Sequence, residues 1–177
     1  GPLANFILAI FIFLFIYMFI GKDFTPAVID EVQKDSPAEI AGLKKNDIIL
    51  EIDNNKVESI LDVSKFIAMS TSDFVDFKVS RFENEILLKV KPNLVESEDN
   101  LGNKLKKRMV GIKLSAYNDK INHVKLGPAQ ALVQSFNEVY FVTVSSLKYL
   151  GSMIVGKGDT SQLGGPIRIA KISGQVA

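Results

Sequence analysis

The sequence predicts an α+β chain: one transmembrane helix, then a small sheet domain carrying two helices, then a C-terminal amphipathic or interfacial helical region. Three observations predict it. Residues 3–20 form a run without a charged side chain, long enough to cross the roughly 30 Å hydrocarbon core as a helix. Residues 24–92 alternate short apolar strands with two capped helical segments. Beyond Gly127-Pro128 a helical pattern runs to about Val155.

Composition removes several function classes. With 177 residues and a formal net charge of +1, the chain lacks the basic excess that nucleic-acid binding needs. It has no cysteine and a single histidine, His123. Disulfides, thiol nucleophiles and Cys/His zinc clusters are therefore excluded within this stretch. The apolar run starts with Gly1-Pro2 and ends at Ile20-Gly21-Lys22. It has neither the basic start nor the small-residue cleavage site of a secretory signal, so it reads as an anchor over residues 1–21. Without a starting Met, and ending at Gly174-Gln175-Val176-Ala177, the chain reads as a fragment.

Pro2 suits the first turn of the anchor helix, where no amide partner is needed. Asn5 is the one strongly polar side chain within the run. An amide in hydrocarbon is costly unless protein supplies partners, so Asn5 faces either neighbouring protein or headgroup water at the helix end. Residues 25–32 read as a strand. Ser36-Pro37-Ala38-Glu39 then makes a capping box, and Gly42 is the left-handed end of the short helix it opens. Residues 48–52 form an apolar strand, and Asp53-Asn54-Asn55-Lys56 turns the chain. Ser59 caps a second helix over residues 60–69, with Ile60, Val63, Phe66 and Ile67 on one apolar face. Val75, Phe77 and Val79, then Ile86, Leu88 and Val90, alternate as two strands joined at Glu83-Asn84.

Residues 93–126 read as a polar linker with one extra strand at 109–114. The basic residues within 104–108 suit a solvated face or attraction to anionic headgroups. Residues 127–177 hold the long helix, whose apolar half is interrupted by Ser145, Ser146, Lys148 and Tyr149. Such a helix fits the membrane interface better than a second span. His123, alone in a polar stretch, reads as a surface residue.

Ser36-Pro37-Ala38-Glu39-Ile40-Ala41-Gly42-Leu43, followed by Asp47-Ile48-Ile49-Leu50-Glu51-Ile52-Asp53, resembles the core signature of bacterial PDZ domains. The order of elements over residues 24–92 resembles the circularly permuted form found in bacterial proteases, a small β-barrel or sheet with two helices. The flanks narrow the resemblance. Gly1-Pro2-Leu3-Ala4-Asn5-Phe6 is similar to the Gly-Pro-x-x-Asn-Phe motif of site-2 proteases, intramembrane zinc metalloproteases of the sigma-E-regulator type. Gly164-Gly165-Pro166-Ile167-Arg168-Ile169-Ala170 is similar to the Gly-Pro-Ile segment that this family places before its last core helix.

That family binds Zn²⁺ through a His-Glu-x-x-His helix, whose Glu is the general base, and through the Asp of a later Leu-Asp-Gly motif. Neither motif occurs in this sequence. The resemblance therefore implies ligands outside the segment, no catalytic residue or metal ligand within it, and no activity of the segment alone. It implies cleavage of membrane-spanning substrates by the full-length protein, in the bacterial inner membrane, with the PDZ-like domain on the periplasmic or extracytoplasmic side. Gly1, Pro2 and Asn5 would support the active site, with Asn5 bracing an unwound substrate strand. In a PDZ-like domain a chain end adds as a strand beside a helix, its carboxylate held by a Gly-containing loop. The peptide-binding residues implied are Ile60, Val63 and Ile67 on the helix and Val110, Gly111 and Ile112 in the loop. Gly111 equally suits a bulge in a structural strand. The implied partners are the membrane, single-span membrane proteins and peptide C-termini, which the domain recruits or filters by size. Arg168 reads as an interfacial anchor.

Two other readings compete. A non-catalytic, membrane-tethered PDZ adaptor explains the missing ligands but leaves the two flanking motifs unexplained. A membrane-anchored serine protease would need a Gly-x-Ser-x-Gly element, which the sequence lacks.

Overall fold

The computed structural model describes residues 1–98, 104–117 and 121–154. Helix α1 (Pro2–Phe15) starts with Pro2 in its first turn and runs on through a π-helical turn at Ile16–Ile20. Together these 19 residues are long and apolar enough to cross a bilayer. Leu3, Phe11, Phe15 and Ile20 all point outward, a surface that suits lipid and not water. Gly21, at φ +107°, ends the helix, and its amide donates to the Ile16 carbonyl at 2.8 Å.

Strand β1 (Lys22–Asp23) leads into the domain. There follow β2 (Ala27–Val32), α2 (Pro37–Ile40), β3 (Ile48–Ile52), β4 (Asn55–Lys56), α3 (Ile60–Met69), β5 (Val75–Arg81) and β6 (Asn84–Val90). The chain continues through β7 (Asn93–Glu98), β8 (Lys104–Met109), β9 (Ile112–Ala116), β10 (His123–Val124) and α4 (Pro128–Ile154). The main sheet is antiparallel in the order β6-β5-β3-β2-β9, with β4 paired to β3. Its apolar face is the alternation visible in the sequence: Val75, Phe77 and Val79 on β5, with Ile49 and Ile52 on β3, are all essentially buried. Val63, Phe66 and Ile67 of α3 pack onto them.

Both domain helices start as capping residues dictate. The Ser36 hydroxyl accepts from the Glu39 amide at 3.2 Å, while the Glu39 carboxylate accepts from the Asp35 amide at 2.6 Å, one residue before the cap. Ser59 and Asp62 form the reciprocal box. Gly42, at φ +87°, closes α2. The turn that follows is pinned by one ion pair. Asp47 is fully buried, and Arg81 reaches it with two N–H···O bonds of 2.7 Å while a guanidinium N–H also donates to the Gly42 carbonyl at 2.7 Å. The second Asp47 oxygen also accepts from the Lys44 amide at 2.9 Å.

Residues 93–126 differ from the linker expected. They contain the β7–β8 hairpin, in which Glu96 stands opposite Lys106 and Leu94 opposite Arg108. Facing unlike charges favour this pairing, although no apolar alternation announces it. The strand expected at 109–114 breaks at Gly111, and only Ile112–Ala116 joins the sheet, beside β2. The Gly-Pro-Ile segment and Arg168 lie outside the described residues.

Helix α4 lies against α1 and α3. It meets α3 through Phe66 and Phe141, edge to face with ring centres 5.1 Å apart. Beside them, a 2.7 Å ion pair joins Lys65 to Glu138. Small residues at Ala131 and Ser135, one turn apart and fully buried, allow close helix approach.

Arg81→Ala strands the Asp47 carboxylate in the interior and should cost about 3–5 kcal/mol, the range for breaking a buried pair from one side. Urea unfolding followed by circular dichroism measures it, and an unchanged midpoint would remove the pair from its structural role.

Candidate functional site: the edge of β9 beside α3

Strand β9 is the last strand of the main sheet, so one of its edges has no partner strand among the described residues. Helix α3 lies alongside β8 and β9. An edge strand next to a helix is the arrangement that accepts an added peptide strand.

The loop at the head of β9 is built around Gly111. Its φ of +81° is in the left-handed region, and a Cβ there would sit 2.4 Å from Ser36 Cβ and 2.9 Å from the Ser36 hydroxyl oxygen. Only glycine fits. The carbonyls of this loop are turned inward: Val110 O accepts from the Ala38 amide at 2.9 Å and Gly111 O from the Gln33 amide at 2.9 Å. The helix cap at Ser36 and the loop at Gly111 therefore fix one another.

The residues read from the sequence divide into two kinds. Val63, Ile67 and Val110 are buried core residues, while Ile60 and Ile112 are half-buried and packed against that core. They set the position of the helix and the loop. Gly1, Pro2 and Asn5 sit exposed at the far end of α1, and the structure does not bring them to the groove.

Two polar residues at this end of α3 were not singled out by sequence reasoning. Arg108, three residues before Gly111, donates to the Ser70 carbonyl at 2.8 Å and to the Ser72 carbonyl at 2.5 Å. It thereby caps the C-terminal end of α3, where a cation is favoured. Its Nε and the Ser70 hydroxyl are buried without a hydrogen-bond partner. Orphaned polar atoms of this kind call for an explanation, and a ligand is one. Burial pushes the Arg108 guanidinium below its ordinary pKa, against the pull of Asp53 and Asp73. The signal was present as an arginine just ahead of an apolar-Gly-apolar triplet, hidden in a run of lysines.

For metal the chain offers little. No group of three or more His, Cys, Asp or Glu side chains among the described residues could hold an ion. Both ring nitrogens of His123 are already engaged. The donors among the described residues do not fit a zinc site.

The PDZ domain family matches residues 28–80. A protein of Agrobacterium fabrum, named as a candidate zinc metalloprotease, is 33% identical over 177 residues, covering 100% of this chain and 47% of its own length. A protein of Rhizobium meliloti with the same kind of name shows the same identity and coverage. The metalloprotease MmpA of Caulobacter vibrioides is 31% identical over 176 residues, 99% of this chain and 44% of its own. The chain is similar to these bacterial metalloproteases along its whole length. It carries a PDZ domain behind an apolar helix, and it spans about half the length of the metalloproteases it matches. These names agree with the metalloprotease part of the resemblance read from short motifs.

Gly111→Ala should destabilise the domain by about 1–3 kcal/mol through its left-handed backbone alone, with the clash at Ser36 adding to that. A Ser36→Gly background, which removes the clashing atoms, should recover part of the loss. Thermal unfolding of the two variants checks this; equal losses in both backgrounds would show that the loop and the cap are not coupled.

Proposed function

We propose that this chain is the substrate-handling part of an intramembrane zinc metalloprotease of the bacterial inner membrane. Its domain is a circularly permuted PDZ domain on the extracytoplasmic side, which binds or filters the ends of single-span membrane proteins. The single observation that carries the reading is the match to metalloproteases along the whole chain, with the PDZ domain inside it.

The site geometry gives this reading a mechanism. Strand β9, reaching the sheet from the C-terminal side, takes the place of the strand that lies beside bound peptide. A peptide C-terminus adds along its edge, and the Arg108 guanidinium at the end of α3 meets the carboxylate by turning out of its contacts with the Ser70 and Ser72 carbonyls. Charge-assisted bonds of this kind are stronger than neutral ones. Zinc, when bound by residues outside this segment, supplies the activated water of a metalloprotease. The part of Asn5 is to hold substrate backbone extended in a place where lipid offers no hydrogen bond. In the same reading α4 lies at the membrane interface, its Lys148 and Tyr149 at headgroup level.

Two tests follow. A labelled peptide with a free apolar C-terminus should bind the chain in detergent and lose affinity on C-terminal amidation. Arg108→Gln should weaken binding about 10-fold or more, as expected for a charge-assisted hydrogen bond of about 1.5–3 kcal/mol. Fluorescence anisotropy reads both, and equal affinity for the amidated peptide would remove the groove as a carboxylate site. In the full-length protein Asn5→Leu should abolish cleavage of a single-span substrate with thermal unfolding unchanged. Retained cleavage would return Asn5 to a helix end facing headgroup water.

A further inference from the structure

The segment from Asn122 to Leu126 forms a strap across the end of the membrane helix. Asn122 O accepts from the Phe24 amide at 2.8 Å, and the Leu126 amide donates to Tyr17 O at 3.0 Å. The Asn122 amide donates to the buried Thr25 hydroxyl at 2.8 Å. Strand β10 within the strap pairs with β1, setting His123 directly opposite Asp23. The His123 ring joins both sides of the junction. Its Nδ1 lies 2.5 Å from an Asp23 carboxylate oxygen and its Nε2 lies 2.8 Å from the Ile20 carbonyl.

Neither partner has a hydrogen to give. An ionised carboxylate and a backbone carbonyl only accept, so both ring nitrogens must donate, and only the imidazolium has two N–H groups. A neutral ring would set a bare nitrogen lone pair against one of the two oxygens. The Ile20 carbonyl is also one of the last in its helix, where a cation is favoured. Gly21 makes the contact possible, since a Cβ there would lie 2.8 Å from both His123 Nε2 and the Val124 carbonyl oxygen.

We propose that His123 is a proton-operated clamp: its imidazolium ties the strap at 122–126 to the end of the membrane helix, and loss of the proton loosens the strap, leaving it on its backbone bonds and the Thr25 contact. The charged groups around it are few. Asp23 on β1 and the Ile20 carbonyl favour the proton, and Lys125 on the strap opposes it. Lys22, the other β1 charge, is taken by Glu58 at 2.8 Å. Asp23 and then Ile20 hold the His123 pKa above its ordinary value. The direction follows from that sign. The clamp is fully engaged below the unfolded-state pKa of about 6.5, and it is lost as pH rises through the higher folded-state value. Helix α4 begins just after the strap, at Pro128.

A chain with one histidine and no cysteine is well suited to the test. In the 177-residue chain in detergent micelles, ¹⁵N NMR of the imidazole should titrate above about 6.5, and Asp23→Asn should lower that midpoint. A native midpoint at or below about 6.5, or one that Asp23→Asn leaves in place, overturns the proposal. Spin labels at Leu8→Cys on α1 and Ile121→Cys beside the strap then report the junction. Their distance distribution should be narrow well below the midpoint and broad well above it, and broad at both pH values in His123→Gln. Distributions that do not change with pH, or that His123→Gln leaves narrow, also overturn it.

Discussion

The pairing of β9 with β2 is the constraint on which the rest of the arrangement depends. Strand β2 opens the domain and β9 arrives after the β7–β8 hairpin, yet they lie side by side from Ala27↔Ala116 to Val32↔Ile112. Because β9 must start beside Val32, the chain before it crosses the cap of α2, and Gly111 is the residue that survives the crossing. Because β9 ends beside Ala27, the chain after it emerges where α1 ends, and the strap and α4 can reach the membrane helix. A single ladder therefore sets the loop over the groove and the second contact between domain and anchor.

How much of this was legible depends on whether the determining contacts are local. Ser36, Gly42 and Ser59 act within four residues of themselves, and each sits in the structure where local chemistry puts it. Alternation on β5 and β6 was legible because one face meets the core and the other meets water. The β7–β8 hairpin was not, since its pairing sets charged residues such as Glu96 and Lys106 opposite each other without a buried face. Arg108 was hidden for another reason. Its partners, the Ser70 and Ser72 carbonyls, are backbone groups far away in sequence, and backbone acceptors leave no mark on side-chain pattern. His123 was read as a surface residue, and its ring is indeed half exposed. What composition cannot reveal is that both of its nitrogens find acceptors from the other end of the chain.

Helix α3 is braced on both sides, and this bears on what the groove can do. Val63 and Ile67 lock it to the sheet, while Phe66 and Lys65 are held by Phe141 and Glu138 of α4. Arg108 holds its C-terminal end and the Ser59–Asp62 box its start. A helix fixed at both ends and on two faces cannot shift toward an arriving strand without breaking several of these contacts together. The place of α3 beside the edge of β9 is thus set by contacts within the chain. In the proposed peptide-binding reading, a helix held in this way is a fixed template and not a lever that moves on binding. The domain is held to the apolar helix in turn by the strap at 122–126 and by the face of α4 against α1, so α3, the sheet and the helix form one continuous set of contacts.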